Sequence, residues 1–138
     1  MDLHGGLGYH YFVQSKCQRL KVNNMTGVQM DELIEKIIQF RDERDWKQFH
    51  DPKDLALSIS LESSELLELF QWKNSQQAIE QHYSDMKDEI ADILIYTLTL
   101  VHDLQIDVKD AILQKINKNA EKYPISSFKG SSQKSTRQ

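Results

Sequence analysis

The chain of 138 residues has a single cysteine, Cys17, so neither an intramolecular disulfide nor a cysteine-based zinc site can form within it. Prolines number two, Pro52 and Pro124, and both lie at expected segment boundaries. Three of the five glycines (Gly5, Gly6, Gly8) lie close together near the start, and the remainder of the chain is almost free of this helix-weakening residue. No apolar run approaches the roughly 20 residues that span a bilayer. Nor does the beginning of the chain carry a compact apolar stretch with a cleavage-like site. No membrane partner is therefore expected, and the cytoplasm is the expected location. Positive charge is not in excess either: the formal net charge is −4, which argues against a broad basic surface for a nucleic-acid polymer. A small anion remains compatible, because it needs only a few local cations or a metal. Phosphate-cradling G-x-x-x-x-G-K-[ST], zinc-binding H-E-x-x-H and nucleophile-elbow G-x-S-x-G patterns are all missing. None of the five histidines stands three residues after a glutamate, which removes the Glu-x-x-His couplets of a di-iron bundle.

What the chain does have is helical periodicity. A hydrophobic content of 39% with 28% charge suits one helical domain with a real core rather than a disordered chain. Residues 1–24 show no period and read as a disordered or adventitious leader, residues 25–125 as the helical domain, and residues 126–138 as a flexible basic tail. Leu33, Ile34, Ile37, Ile38 and Phe40 mark a first helix from Met30 to about Lys47. The charged run Arg41 to Asp45 at its end reads as a solvated face. Asp51 before Pro52 fits an N-cap with proline at the first helical position, opening a second helix to about Trp72. Next come a short segment at Gln76–Ile79, a third helix from Tyr83 to Leu104 and a fourth that Asp107 caps and that runs to about Lys122. No strand pattern is visible. The fold class expected is all-α, a four-helix bundle-like subunit.

Two acidic couplets stand out, Glu62-Ser-Ser-Glu65 and Glu89-Ile-Ala-Asp92. Carboxylates at i and i+3 share one helix face, about 60° apart. On a wheel of about 100° per residue, Leu55, Ile59, Leu66, Leu67 and Phe70 lie roughly 20° to 140° from Glu62, with Leu69 near −20°. From Glu89, Met86, Ile90, Ile93, Leu94 and Leu100 occupy the same arc of roughly 20° to 140°, with Tyr96 near −20°. Both helices thus place carboxylates at the edge of the surface each must bury. Unpaired buried carboxylates are costly, and a hard cation such as Mg²⁺, which takes oxygen ligands, would explain them. Against this, acidic residues at i,i+3 are common on solvated faces, and one such pair means little. Lys115, Asn119 and Lys122 form a polar stripe beside Ile112, Ile116 and Tyr123, readable as surface lysines beside a core face or as cations for phosphate. His102-Asp103 reads as structural. Trp46, Phe49 and Trp72 by themselves suit a core or an interface.

The couplets and their surroundings, Arg44-Asp-Trp-Lys-Gln-Phe-His50, Glu65-Leu-Leu-Glu-Leu-Phe-Gln-Trp72 and Asp92-Ile-Leu-Ile-Tyr96, resemble the MazG-like all-α nucleoside triphosphate pyrophosphatases, and within them the dCTP pyrophosphatase branch. The resemblance runs from about Met30 to Tyr123. It implies hydrolysis of a (deoxy)nucleoside triphosphate (dCTP, dATP or a modified dNTP favoured) to the monophosphate and pyrophosphate, for nucleotide-pool cleaning. The implied cofactor is Mg²⁺, with Mn²⁺ as substitute. By matching position, Glu62, Glu65, Glu89 and Asp92 would be metal ligands, with Glu62 or Glu65 as general base. Trp46, Phe49, His50, Trp72 and Tyr96 would form the nucleotide pocket, and Lys115, Asn119, Lys122 and Tyr123 the phosphate side. A homotetramer or dimer with sites near subunit interfaces is implied too. Two departures are visible. The branch often has a histidine nine residues before the tryptophan matching Trp46, where this chain has Ile37, and the tail lacks the branch's aromatic, acidic ending. The rival expectation is a non-catalytic helical oligomer that binds nucleotides or a protein partner.

Overall fold

The computed structural model describes residues 29–135, and the expected leader at 1–24 lies outside them. All regular elements among the described residues are helical: α1 (Met30–Asp42), a 3₁₀ turn (Trp46–Phe49), α2 (Pro52–Glu68), α3 (Ser75–Asp103), α4 (Val108–Lys122) and a short α5 (Ile125–Phe128). The expected caps are present. Asp51 accepts from the Asp54 amide at 2.9 Å with Pro52 at the first helical position, and Asp107 accepts from Asp110 at 2.9 Å. Each cap satisfies an orphan amide and typically contributes about 1 kcal/mol.

Three boundaries differ from the sequence reading. The first helix stops at Asp42 rather than near Lys47. Arg44 and Asp45 there switch to hydrogen bonds with Arg41 and Asp42, and Asp45 takes a left-handed φ of 53° before the 3₁₀ turn. The second ends at Glu68, and the chain reverses through turns to Trp72, whose φ of 62° is a strained conformation for a bulky side chain. The segment at Gln76–Ile79 is not separate. Asn74 and Gln77 close a capping box, and α3 runs on through a non-helical kink at His82.

The fold is organised around the α2–α3 hairpin, with α1 laid on α3. Leu55, Ala78, Met86 and Leu98 are the buried hydrophobics among the described residues. The expectation of a bundle-like subunit needs correction at the fourth helix. No residue of α4 is buried, and Ile112, Leu113 and Ile116 stay exposed. Its first turn is tied to α1 by Lys109 and Asp31 at 3.6 Å. Among the described residues the packed unit is therefore α1, α2 and α3, and the apolar side of α4 is left uncovered.

The charged run closing α1 is not wholly solvated. Arg41 is only 3% exposed. Its Nη1 donates to both carboxylate oxygens of Asp103 at 3.0 and 2.9 Å, and its Nε donates to Asp42 at 2.8 Å. Asp103 also takes a 3.0 Å contact from His102 Nδ1, which agrees with a structural role for the His102-Asp103 pair. Burial by itself would raise the Asp103 carboxyl, but the hydrogen bonds from His102 and Arg41 and the charge of Arg41 hold it below its ordinary value. Removing one partner of a buried pair strands the other charge. Asp103→Ala should thus lower unfolding stability by about 3 kcal/mol in urea titrations. Asp42→Ala, at a half-exposed partner, should cost less than about 1 kcal/mol.

Candidate active site

Helices α2 and α3 bring the acidic couplets face to face. Carboxylate oxygens of Glu62, Glu89 and Asp92 lie within 4.8 Å of one another. No ion pair or hydrogen bond from a described lysine, arginine or histidine reaches any of the three. Burial first, then the charges of Glu65, Asp92 and Glu89, push the Glu62 carboxyl above its ordinary value. Glu89 is raised likewise, by desolvation and then by Glu65, Asp92, Asp88 and Asp85. Glu65, the fourth expected ligand, is exposed and stands outside the group of three, yet near enough for its charge to act on Glu62 and Glu89. An all-oxygen, hard, uncompensated donor set of this kind fits Mg²⁺ or a similar cation.

Asp92 also lines a cavity of about 430 Å³, a size that suits a small-molecule ligand. One wall comes from α1, through Lys36, Ile37, Phe40 and Arg41. The 3₁₀ turn and the residue after it supply Trp46 and His50, and α3 supplies Ile95, Tyr96 and Thr99. The turn is what makes the aromatic wall. By ending α1 early, it swings Trp46 back against Phe40, edge to face with ring centres 5.8 Å apart. Trp46 lies 6.5 Å from His50, and His50 lies 6.1 Å from Tyr96. Arg44 packs its guanidinium 3.7 Å over the outer face of Phe40.

Two atoms join the halves of the site. The Tyr96 phenol hydrogen-bonds with Ser58 and is raised above its ordinary value by burial and then by Glu62 and Asp92, so it stays a neutral donor beside the acids. His50 Nδ1 is buried with no hydrogen-bond partner among the described residues. An unsatisfied buried polar atom costs about 1–3 kcal/mol.

Comparison with known proteins identifies the family. Residues 57–137 match the MazG-like family. A crystal structure of a pyrophosphatase from Archaeoglobus fulgidus superposes with a TM-score of 0.67 at 41% identity, covering 75% of this chain and 99% of that one. The chain belongs to the MazG-like family. Among curated MazG-like relatives, dCTP pyrophosphatase 1 of Bos taurus is 39% identical over 103 residues, and that of Homo sapiens 38% over 103. The match covers 71% of this chain and 61% of each of those proteins, so the chain spans less than two thirds of their length.

Of the residues expected in a MazG-like site, the structure gathers Glu62, Glu89 and Asp92 in one cluster and Trp46, His50 and Tyr96 around one cavity. Others stand apart. Phe49 is 64% exposed and Trp72 94% exposed, and neither lines the cavity. Lys115, Asn119 and Lys122 are exposed on α4 and do not line the cavity, and Tyr123 meets Phe128 edge to face at 5.2 Å. Ile37, noted for replacing a histidine, does line the cavity. Sequence reasoning did not find Arg41, Lys36, Ile95 or Thr99. The available signal was spacing: Arg41 follows Ile37 by four, and Asp92, Tyr96, Thr99 and Asp103 run at four, three and four along one face of α3.

The raised carboxyls fix the sign of a pH effect. A carboxyl held higher in the folded than in the unfolded chain adds stability at low pH that disappears as pH rises through its folded value. In the metal-free protein Glu62 and Glu89 thus contribute stability that is lost as pH rises through the carboxylate range, opposite in sign to the contribution of Asp103. Mg²⁺ should raise the melting temperature more at pH 7.5 than at pH 5. At pH 7.5, Glu62→Gln should raise the metal-free melting temperature and blunt the Mg²⁺ response, as read by thermal denaturation.

Proposed function

We propose that the protein is a Mg²⁺-dependent nucleoside triphosphate pyrophosphohydrolase acting on a deoxynucleoside triphosphate. The observation that carries this reading is the continuity between the acidic cluster and the aromatic cavity through Asp92 and Tyr96. A triphosphate beside the carboxylates and a base among Trp46, His50 and Tyr96 fit that arrangement. The pyrophosphatase names of the relatives agree with it. Glu62, Glu89 and Asp92 would hold the metal, with Mn²⁺ able to replace Mg²⁺. When bound, the metal supplies charge neutralisation for the phosphates and lowers the cost of building charge on the leaving group.

The chain's own residues do the rest. Glu65, outside the group of three, is left to take the proton from a water that adds to the α-phosphorus. As that P–O bond forms, the bridging α–β P–O bond breaks, giving the monophosphate and pyrophosphate. Stacking against Trp46 and His50 holds the base, worth about 1–3 kcal/mol per aromatic contact. The Tyr96 phenol can donate to a substrate oxygen. We infer a role in nucleotide-pool cleaning from this chemistry.

An oligomer, a tetramer or dimer, fits the same structure. Leu57, Leu61, Leu67, Ile90 and Leu94 on the hairpin and Ile112, Leu113 and Ile116 on α4 are exposed, more apolar surface than an isolated soluble subunit usually shows. Assembly would also give Trp72, Lys115, Asn119 and Lys122 something to act on.

In a pyrophosphate-release assay over the eight common ribo- and deoxynucleoside triphosphates, one or more deoxynucleotides should be turned over, and only with divalent metal. Asp92→Asn should abolish turnover and weaken Mg²⁺ binding together. Glu65→Gln should lower kcat by about a hundredfold or more while Mg²⁺ affinity is retained. Stabilisation by nucleotide without any turnover would favour the non-catalytic nucleotide-binding oligomer instead. Light scattering should return a mass two or four times 16.2 kDa.

A further inference from the structure

The inner wall of the cavity holds a charge that neither the metal cluster nor the aromatic wall uses. Arg41 lines the cavity and is almost completely buried. Its Nε is taken by Asp42 and its Nη1 by Asp103, while Nη2 donates to no described residue. A guanidinium is planar, so fixing two of its nitrogens fixes the third. It is also charged at all working pH values and can only donate. The neighbouring Thr99 hydroxyl has already given its proton to the Ile95 carbonyl at 2.8 Å. Around these groups the wall is apolar, through Ile37, Phe40 and Ile95. Asp103 and Asp42 compensate the buried charge through Nη1 and Nε, and Nη2 is the one nitrogen left to serve a ligand.

We propose that Arg41 is a specificity-determining residue of the cavity, whose Nη2 donates to a ring carbonyl of the bound base. Nucleotides with an oxo-bearing base (cytosine, thymine, uracil or guanine) are then preferred, and adenine is disfavoured. This rests on the cavity being the base site. Adenine has no carbonyl, and its N1 and N7 each flank the 6-amino group, whose hydrogens oppose a fixed donor. A site built to hydrogen-bond a group rejects the analogue lacking it, because its own buried donor is left unpaired. Asp103 acts as a positioning residue, holding the guanidinium plane.

The test compares wild type with Arg41→Lys, which keeps a cation for Asp103 but loses the rigid fork. Dissociation constants for dCMP, dGMP, dTMP and dAMP are measured by calorimetry with Mg²⁺, beside kcat and KM for the triphosphates. Wild type should bind at least one oxo-base nucleotide about tenfold or more tighter than dAMP. Arg41→Lys should collapse that ratio to within about threefold by weakening the oxo-base nucleotides alone, raising KM while kcat is kept. If Arg41→Lys does not fold, Asp103→Asn, which leaves Arg41 but unlocks its plane, should narrow the same ratio. Equal weakening of all four nucleotides, or a wild type that binds dAMP as tightly as the rest, overturns the proposal and leaves the pyrophosphohydrolase reading intact. Absence of both nucleotide binding and pyrophosphate release removes that reading and this proposal with it.

Discussion

Three carboxylates that repel one another are held together by the packing of two helices. Glu62, Glu89 and Asp92 face each other across the α2–α3 hairpin, in which Leu55 and Met86 are buried. Apolar burial supplies the favourable term and the acidic cluster stands against it, as the raised Glu62 and Glu89 carboxyls record. A functional centre commonly carries such a conflict, with local stability given up for a site that only an occupant relaxes.

The cavity depends on the same hairpin and on one abrupt ending. Had α1 continued to Lys47, Trp46 would have been carried along the helix axis instead of turning back onto Phe40. The left-handed Asp45 and the 3₁₀ turn redirect the chain, and Arg41, anchored on Asp103 near the end of α3, fixes α1 against the hairpin. Aromatic wall, buried guanidinium and acidic cluster are thus successive features of one face of α3, read from Asp103 through Thr99 and Tyr96 to Asp92.

How much of this is legible in the sequence depends on the range of the interaction. The acidic couplets and the Asp51 and Asp107 caps involve residues three or four apart, and the sequence displays them directly. The Arg41–Asp103 pair joins residues 62 positions apart, and inside a run of five charges nothing local distinguishes Arg41 from its solvated neighbours. Asn74 and Ser75 are good helix breakers and suggest a separate short segment after them, yet they serve as the cap and first residue of α3, which only kinks at His82. The fourth helix has the amphipathic pattern of a bundle member, and its pattern could not say that none of its residues would be buried against the packed core. Family resemblance, rather than periodicity, led to Trp46, His50 and Tyr96.

The central claim is that the carboxylate cluster and the aromatic cavity are one site. Trp46 and Trp72 are the only tryptophans, so a Trp72→Phe protein reports from the cavity wall alone. Its fluorescence can be titrated with a non-hydrolysable deoxynucleoside triphosphate at fixed Mg²⁺ and again in chelator. The account predicts a saturable change in Trp46 emission whose affinity falls by about tenfold or more without Mg²⁺. Equal affinity in both conditions, or Mg²⁺-dependent binding that leaves Trp46 unaltered, would contradict it.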